Sequence, residues 1–306
     1  MLEIKHPKLW HTIRRNLPSI KNTILKKEGL LGASFNELEG GFSNFVFLAK
    51  RSNKKFVIKL SADNAMPNEV YWYSMANRHR LSVPKLLSYD LSKEDLACMY
   101  EGLEYVEGGL PDWRSRSEMF KAGFFAGSQI KKMRSIGVDG FGQVDSKFRW
   151  TNKTWLGALK NDREAIDIRP ALKKLTRREL DMIDDMVVFN KELDIRKPKL
   201  IHDDLYEMNV IRKGRGFVMI DPGFNIGGDP MYALSYSLVP RSRGFDEGAK
   251  EAFPASLLSE NERYRLGLLY TYRLFKEMTE YIANKDSQSN INRLYKLLKK
   301  EMRLRA

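Results

Sequence analysis

The stretch His202-Asp203-Asp204-Leu205-Tyr206-Glu207-Met208-Asn209 decides how this chain reads, together with the residues after it: Val210-Ile211-Arg212, the turn Lys213-Gly214-Arg215-Gly216, the run Phe217-Val218-Met219-Ile220, and Asp221. Two short apolar segments joined by a glycine-containing turn spell a β-hairpin. A hairpin brings its outer ends together, so Asn209 and Asp221 are expected side by side, with Asp204 in the loop that leads into the first strand. An amide and a carboxylate so placed offer oxygens to a hard divalent cation. A second carboxylate nearby suits proton transfer. Taken singly, each residue is most simply a cap or an Asx turn. Their arrangement around one hairpin is what implies chemistry. His202 is expected to be a buried ring that fixes the loop, because the four histidines (His6, His11, His79, His202) have no metal-site spacing.

Upstream, the pattern is that of a small antiparallel sheet. Phe45 and Phe47 alternate onto one strand face, the polar turn Arg51-Ser52-Asn53-Lys54 reverses the chain, and Phe56-Val57-Ile58-Lys59-Leu60 returns it. Pro67 suits the first turn of a helix that runs on through residues 69–79. A further strand, Leu103-Glu104-Tyr105-Val106, ends at Gly108-Gly109, where the boundary between two lobes is expected. Beyond it the periodicity is helical over residues 119–136, 155–159, 172–193, 257–282 and 291–304. The last of these places Ile291, Leu294, Tyr295, Leu298 and Met302 on one stripe, which reads as a core-packing face. The fold class is therefore α+β and bilobal: an N-terminal sheet lobe at 1–106 and a larger helical lobe at 107–306.

Composition sets the outer bounds. A chain of 306 residues with 42% hydrophobic content can build a substantial core, and nothing suggests disorder. One cysteine, Cys98, allows no intrachain disulfide, and no run approaches the roughly eighteen apolar residues of a membrane span. A soluble, cytoplasmic protein is expected, with no membrane partner. The formal charge of +14 attracts polyanions in general, but the lysines and arginines are scattered and lack the interleaved aromatics of an RNA-binding surface. Nucleic acid is a possible partner that this pattern does not favour.

The candidate groups match what phosphoryl transfer requires: a γ-phosphate held in line, its charge neutralised, and an acceptor hydroxyl oriented. Asp204 would take the hydroxyl proton, while Asn209 and Asp221 would hold Mg2+ against the phosphates of ATP. Lys59, closing the strand Val57-Ile58-Lys59, would reach the α- and β-phosphates, with Glu69 as its ion-pair partner. Gly40-Gly41-Phe42-Ser43-Asn44 would cover the triphosphate, its backbone amides and the Ser43 hydroxyl pointing at it, with Ser43 and Asn44 as binding candidates. The backbone of Glu104 and Val106 would meet the adenine. Lys59, Asp204, Asn209 and Asp221 are thus expected around one cation-loaded triphosphate. Asp246, Glu247, Glu251, Glu260 and Glu262 are candidates to line an acceptor site for a cationic substrate.

These residues, in this order, resemble the aminoglycoside phosphotransferase-like family of small-molecule kinases, relatives of the protein kinases. The likeness spans roughly residues 35–238. Besides the catalytic loop it includes Leu103-Glu104-Tyr105-Val106-Glu107-Gly108, Gly140-Phe141-Gly142-Gln143-Val144 with Trp155, and above all Gly227-Gly228-Asp229-Pro230. The resemblance implies an ATP-dependent kinase, with Mg2+, acting on a small-molecule hydroxyl of the aminoglycoside, sugar or amino-alcohol type. A compact Ser/Thr protein kinase and an inactive kinase-fold module holding nucleic acid or another polyanion are the alternatives. The chain departs from the family pattern at Asp203, where glycine is usual, and at Met133, near which a histidine is common. Asp203 is expected to raise the proton affinity of Asp204 by like-charge repulsion. Pro222-Gly223 after Asp221 leaves out the phenylalanine through which protein kinases switch.

Overall fold

The computed structural model of the chain describes residues 7–38, 44–61 and 65–305. They divide into two compact units, one drawn from residues 1–109, 144–149 and 213–220, the other from 110–143, 150–212 and 221–306.

The first unit is an antiparallel sheet with two helices. After α1 (Pro7–Lys27) come β1 (Ser34–Glu37), β2 (Asn44–Arg51), β3 (Lys54–Ser61), α2 (Met66–Arg78), β4 (Leu86–Asp90) and β5 (Met99–Glu104). The strand order is β1-β2-β3-β5-β4. Ser52 and Asn53 alone join β2 to β3, so Arg51 pairs with Lys54, and Ser52 takes the left-handed backbone such a tight turn needs, at φ 51°. Alternation holds along β2: Phe45, Phe47 and Ala49 are buried against Ile13, Ile20 and Ile24 of α1 and Ile58 and Leu60 of β3. In α2, Pro67 lies in the first turn, as its missing N–H favours. The strand expected at Leu103-Glu104-Tyr105-Val106 instead begins at the buried Met99 and Tyr100 and stops at Glu104, leaving Tyr105 and Val106 outside the sheet.

The second unit is mainly helical. It contains α3 (Arg116–Met133), β6 (Phe141–Val144), β7 (Trp150–Asn152), α4 (Trp155–Glu164), α5 (Arg177–Val187), β8 (Lys199–Leu200) and β9 (Val210–Lys213). β10 (Gly216–Met219) belongs to the first unit, tied there by Met219 N–H to Ser82 O at 2.9 Å and by the Ser82 hydroxyl to Phe217 O at 2.6 Å. The chain continues with β11 (Gly227–Gly228), α6 (Pro230–Ser237), α7 (Phe245–Ala252), α8 (Glu260–Ala283) and α9 (Gln288–Arg305). A small sheet runs β7-β6-β11-β8. On α9 the expected stripe is core: Ile291, Leu294, Leu298 and Met302 are buried.

The helix expected over 172–193 is instead a helix between two 3₁₀ turns. Thr176 starts α5 afresh with a capping box, its side chain accepting from Glu179 N–H while the Glu179 carboxylate accepts from Thr176 N–H. Asn190 then caps a separate turn at Lys191–Leu193. Among the described residues no helix is long and apolar enough to cross a membrane.

Candidate active site

The loop 202–209 is built by its own hydrogen bonds. His202 is fully buried, and its Nδ1 accepts from Asp204 N–H at 3.3 Å, the structural role expected of it. Asn209 closes the 3₁₀ turn Glu207–Asn209 and aims its amide back: Nδ2 donates to Asp204 O at 2.7 Å and to Asp204 Oδ2 at 2.8 Å. That orientation leaves Asn209 Oδ1 without a hydrogen bond among the described residues, so an oxygen is available beside the Asp204 carboxylate.

Asp221 reaches the same loop because Asp203 straps its segment down. Asp203 N–H donates to Pro222 O at 2.9 Å, and Asp203 Oδ2 accepts from both the backbone N–H and the Nδ2 of Asn225, each at 2.9 Å. These bonds bracket the turn just after Asp221, which itself adopts left-handed backbone at φ 51°, a conformation aspartate tolerates better than most residues. Gly223 is required here: at φ 81° an added Cβ would lie 2.8 Å from Asp203 Oδ1 and 3.0 Å from Asp204 Cβ. Asp203, where the family pattern has glycine, is therefore a strut as well as a charge.

Asp204 is the electrostatic focus. Burial pushes its carboxyl up to about 7, the Tyr236 hydroxyl bonded to it draws it down, the Asp203 charge raises it, and Arg241 and Asn209 lower it. Like-charge repulsion from Asp203 thus acts as expected, but burial is the larger cause. Tyr236 is itself held by cations. Arg241 Cζ lies 4.0 Å from its ring centroid and Arg273 Cζ 4.6 Å. Arg241 is anchored by Glu277, with Nη2 to Oε1 at 2.6 Å and Nε to Oε2 at 3.1 Å. Arg273, buried on α8, donates from Nη2 to Asp203 O at 2.8 Å and stacks 3.7 Å from the Tyr232 ring. Asp162 completes the backing, accepting from the hydroxyls of Tyr232 (2.9 Å) and Tyr272 (2.8 Å) and from Lys276 (2.7 Å). Tyr236, Arg241 and Arg273 did not emerge from the sequence motifs. The one available signal was an arginine inside the apolar run Leu268-Leu269-Tyr270-Thr271-Tyr272-Arg273-Leu274-Phe275.

In the first unit, Lys59 and Glu69 form a buried ion pair, Nζ to Oε2 at 2.5 Å. Asn44 joins them, its Nδ2 lying 3.5 Å from Glu69 Oε1. The sheet supplies Lys59 from β3, and the first turn of α2 supplies Glu69. Glu104 does not offer its N–H to a ligand, because that group donates to Lys85 O at 2.9 Å. Val106, just past the sheet, makes no backbone hydrogen bond with any described residue, so its polar groups are available. Gly40, Gly41, Phe42 and Ser43 of the expected covering turn lie outside the described residues.

The remaining motif residues are structural. Asp229 caps α6, accepting from Met231 N–H at 3.0 Å, and its other oxygen accepts from Arg265 Nε at 2.6 Å. Gly228 is needed because a Cβ there would meet the Trp155 ring at 2.3 Å. Met133 is buried at the end of α3. Of the acceptor-site carboxylates expected, Glu262 caps α8 and pairs with Arg134 at 2.7 Å, Glu247 pairs with Arg116 at 2.7 Å, and Asp246 lies 3.5 Å from Lys250. Glu251 and Glu260 are exposed.

Comparison with known proteins finds the same fold. Among solved structures, a thermostable mutant of the aminoglycoside phosphotransferase APH(4)-Ia, in ternary complex with ADP and hygromycin B, superposes with a TM-score of 0.65 at 14% identity, over 93% of this chain and 98% of that one. A putative fructosamine-3-kinase from Thermobifida fusca gives 0.57 at 19% identity, over 90% and 94% of the two chains. Another from Haemophilus somnus gives 0.63 at 14% identity, over 92% and 96%. No curated protein sequence matches. The model of the APH phosphotransferase enzyme family matches residues 34–268, a span that takes in Lys59, Glu69, Asp204, Asn209 and Asp221 and most of the chain, and the chain belongs to that family.

Proposed function

We propose that the protein transfers the γ-phosphate of ATP to a hydroxyl of a small molecule of the aminoglycoside, sugar or amino-alcohol type. The observation that carries this reading is that Asn209 is bonded to Asp204 while the residue after Asp221 is bonded to Asp203, which supports a proton acceptor beside two groups able to hold a cation. ADP and hygromycin B in the APH(4)-Ia complex support the donor and acceptor classes for a family member.

In this reading the Asp204 carboxylate accepts the proton of the acceptor hydroxyl. The freed oxygen forms a bond to the γ-phosphorus as the bond from phosphorus to the β–γ bridging oxygen breaks, and ADP leaves with that oxygen. Tyr236 and Asn209 hold the carboxylate in place. Lys59, fixed by Glu69, neutralises the α- and β-phosphates, and the free backbone of Val106 meets the base. Among the described residues no three His, Cys, Asp or Glu side chains gather as a metal cage. Magnesium does not need one, since it is commonly held by one or two protein oxygens plus phosphates and water. Asn209 Oδ1 and the Asp221 carboxylate fit that mode. Bound there, the cation would offset phosphate charge.

A transfer assay with labelled ATP and magnesium tests the proposal against aminoglycosides, sugars, amino alcohols and a mixed protein extract. Label is expected in a small molecule, and Asp204→Asn is expected to lower turnover by about 10²–10⁴, the range for losing a positioned base. Label only in protein would favour the compact protein kinase. Full activity in the variant would remove Asp204 as the base.

A further inference from the structure

A cavity of about 680 Å³ lies wholly within the second unit, with no residue of the 202–209 loop in its lining, and is bounded by residues 191–199, the end of α3 and the first turns of α6 and α8. Six cationic side chains line it against four carboxylates. Two of the carboxylates are already matched: Glu262 to Arg134 at 2.7 Å and Asp229 to Arg265 at 2.6 Å. The other four cations, Lys191, Arg196, Lys197 and Lys199, make no ion pair or side-chain hydrogen bond with any described residue. Set against the two remaining carboxylates of the lining, Glu192 and Asp194, these four cations leave an excess of positive charge that focuses positive potential into the cavity.

We propose that this cavity binds a small molecule bearing two or more phosphate groups. Its volume falls in the range of small-ligand pockets, about 300–1,000 Å³. Clustered lysine and arginine supply the point charges and planar forks that phosphates engage. The lining holds no aromatic side chain, so it lacks the stacking platform that single-stranded nucleic acid uses. The groups proposed for phosphotransfer take no part in the site, and it stands whether or not that reaction is correct.

The test is calorimetric titration of sodium tripolyphosphate into the full chain, in EDTA so that no divalent cation contributes. One molecule is expected to bind per chain, more tightly than orthophosphate, and more weakly as salt rises. Arg196→Gln combined with Lys197→Gln alters two exposed side chains, and is expected to weaken binding by about tenfold or more with an unchanged melting temperature. Lys59→Met is expected to leave binding intact. If that variant does not fold, the Arg196/Lys197 variant decides alone. Absence of binding, binding indifferent to the Arg196/Lys197 substitutions, or loss in Lys59→Met alone would overturn the proposal. So would tighter binding of a single-stranded RNA through the same two residues, which would make the surface a nucleic-acid site.

Discussion

At Asp204 the environment does two opposed things: burial raises the proton affinity of the carboxyl, and the Tyr236 hydroxyl restrains the rise. A base must be ionised, so kcat/KM is expected to climb with pH and level off above about 7. In Tyr236→Phe the restraining donor is gone, and a pH–rate profile is expected to show the acid limb moved to higher pH. The same shift bears on stability. The folded carboxyl titrates near 7 against an ordinary value of 3.8, so the native state binds the extra proton between those limits, and this group's contribution to stability falls as pH rises through the window. Asp204→Asn lacks that slope. Its melting temperature relative to the wild type is expected to rise from pH 5 to pH 8, as scanning calorimetry would show. The nearness of Asn209 to Asp204 and of the Asp221 segment to Asp203 was legible in the sequence because a hairpin converts short spacing into proximity. Tyr236, Arg241 and Arg273 were not, because they reach the loop from α6, the segment after it, and α8, and no local pattern encodes that approach.

Among the elements, α3 and α7 approach so closely that glycine is the only residue that fits. A Cβ on Gly123 would stand 1.8 Å from Phe245 O, and one on Gly248 2.0 Å from Phe120 O. Backbone cannot yield as a flexible side chain can. Gly123→Ala is therefore expected to cost about 1–3 kcal/mol, the range for overpacking, as a lower urea midpoint at unchanged m-value. α7 itself was not legible because it is short and follows Gly244. The strands of the first unit were legible from alternation, as Phe45 and Phe47 show. Residues 172–193 misled because their apolar spacing continues through a break. The sign of that break was the capping-box spacing of Thr176 and Glu179.

Across the whole molecule the charge of +14 favours contact with any polyanion at low ionic strength. Such contact differs from catalysis in its response to salt. RNA retained on a filter at low salt is expected to be released steeply as salt rises, whereas turnover with a saturating small acceptor is expected to change by less than about twofold over the same range. Parallel losses of both would instead indicate that nucleic acid is the working ligand. Charge could be counted from the sequence, and Lys191, Arg196, Lys197 and Lys199 stand close together in it, but the cavity they line could not be read there, since it depends on where the 191–199 segment lies against α3, α6 and α8. Asp229, at the edge of that cavity, stands at the start of α6, and Tyr236 lies near the helix's other end, only about 10 Å along the axis at 1.5 Å per residue. The start of that helix is fixed by the Asp229 cap on Met231 N–H and by the Asp229–Arg265 pair. Asp229→Ala, which removes the α6 cap and strips Arg265 of its partner, is expected to lower the melting temperature and, in the proposed reaction, to alter the pH optimum.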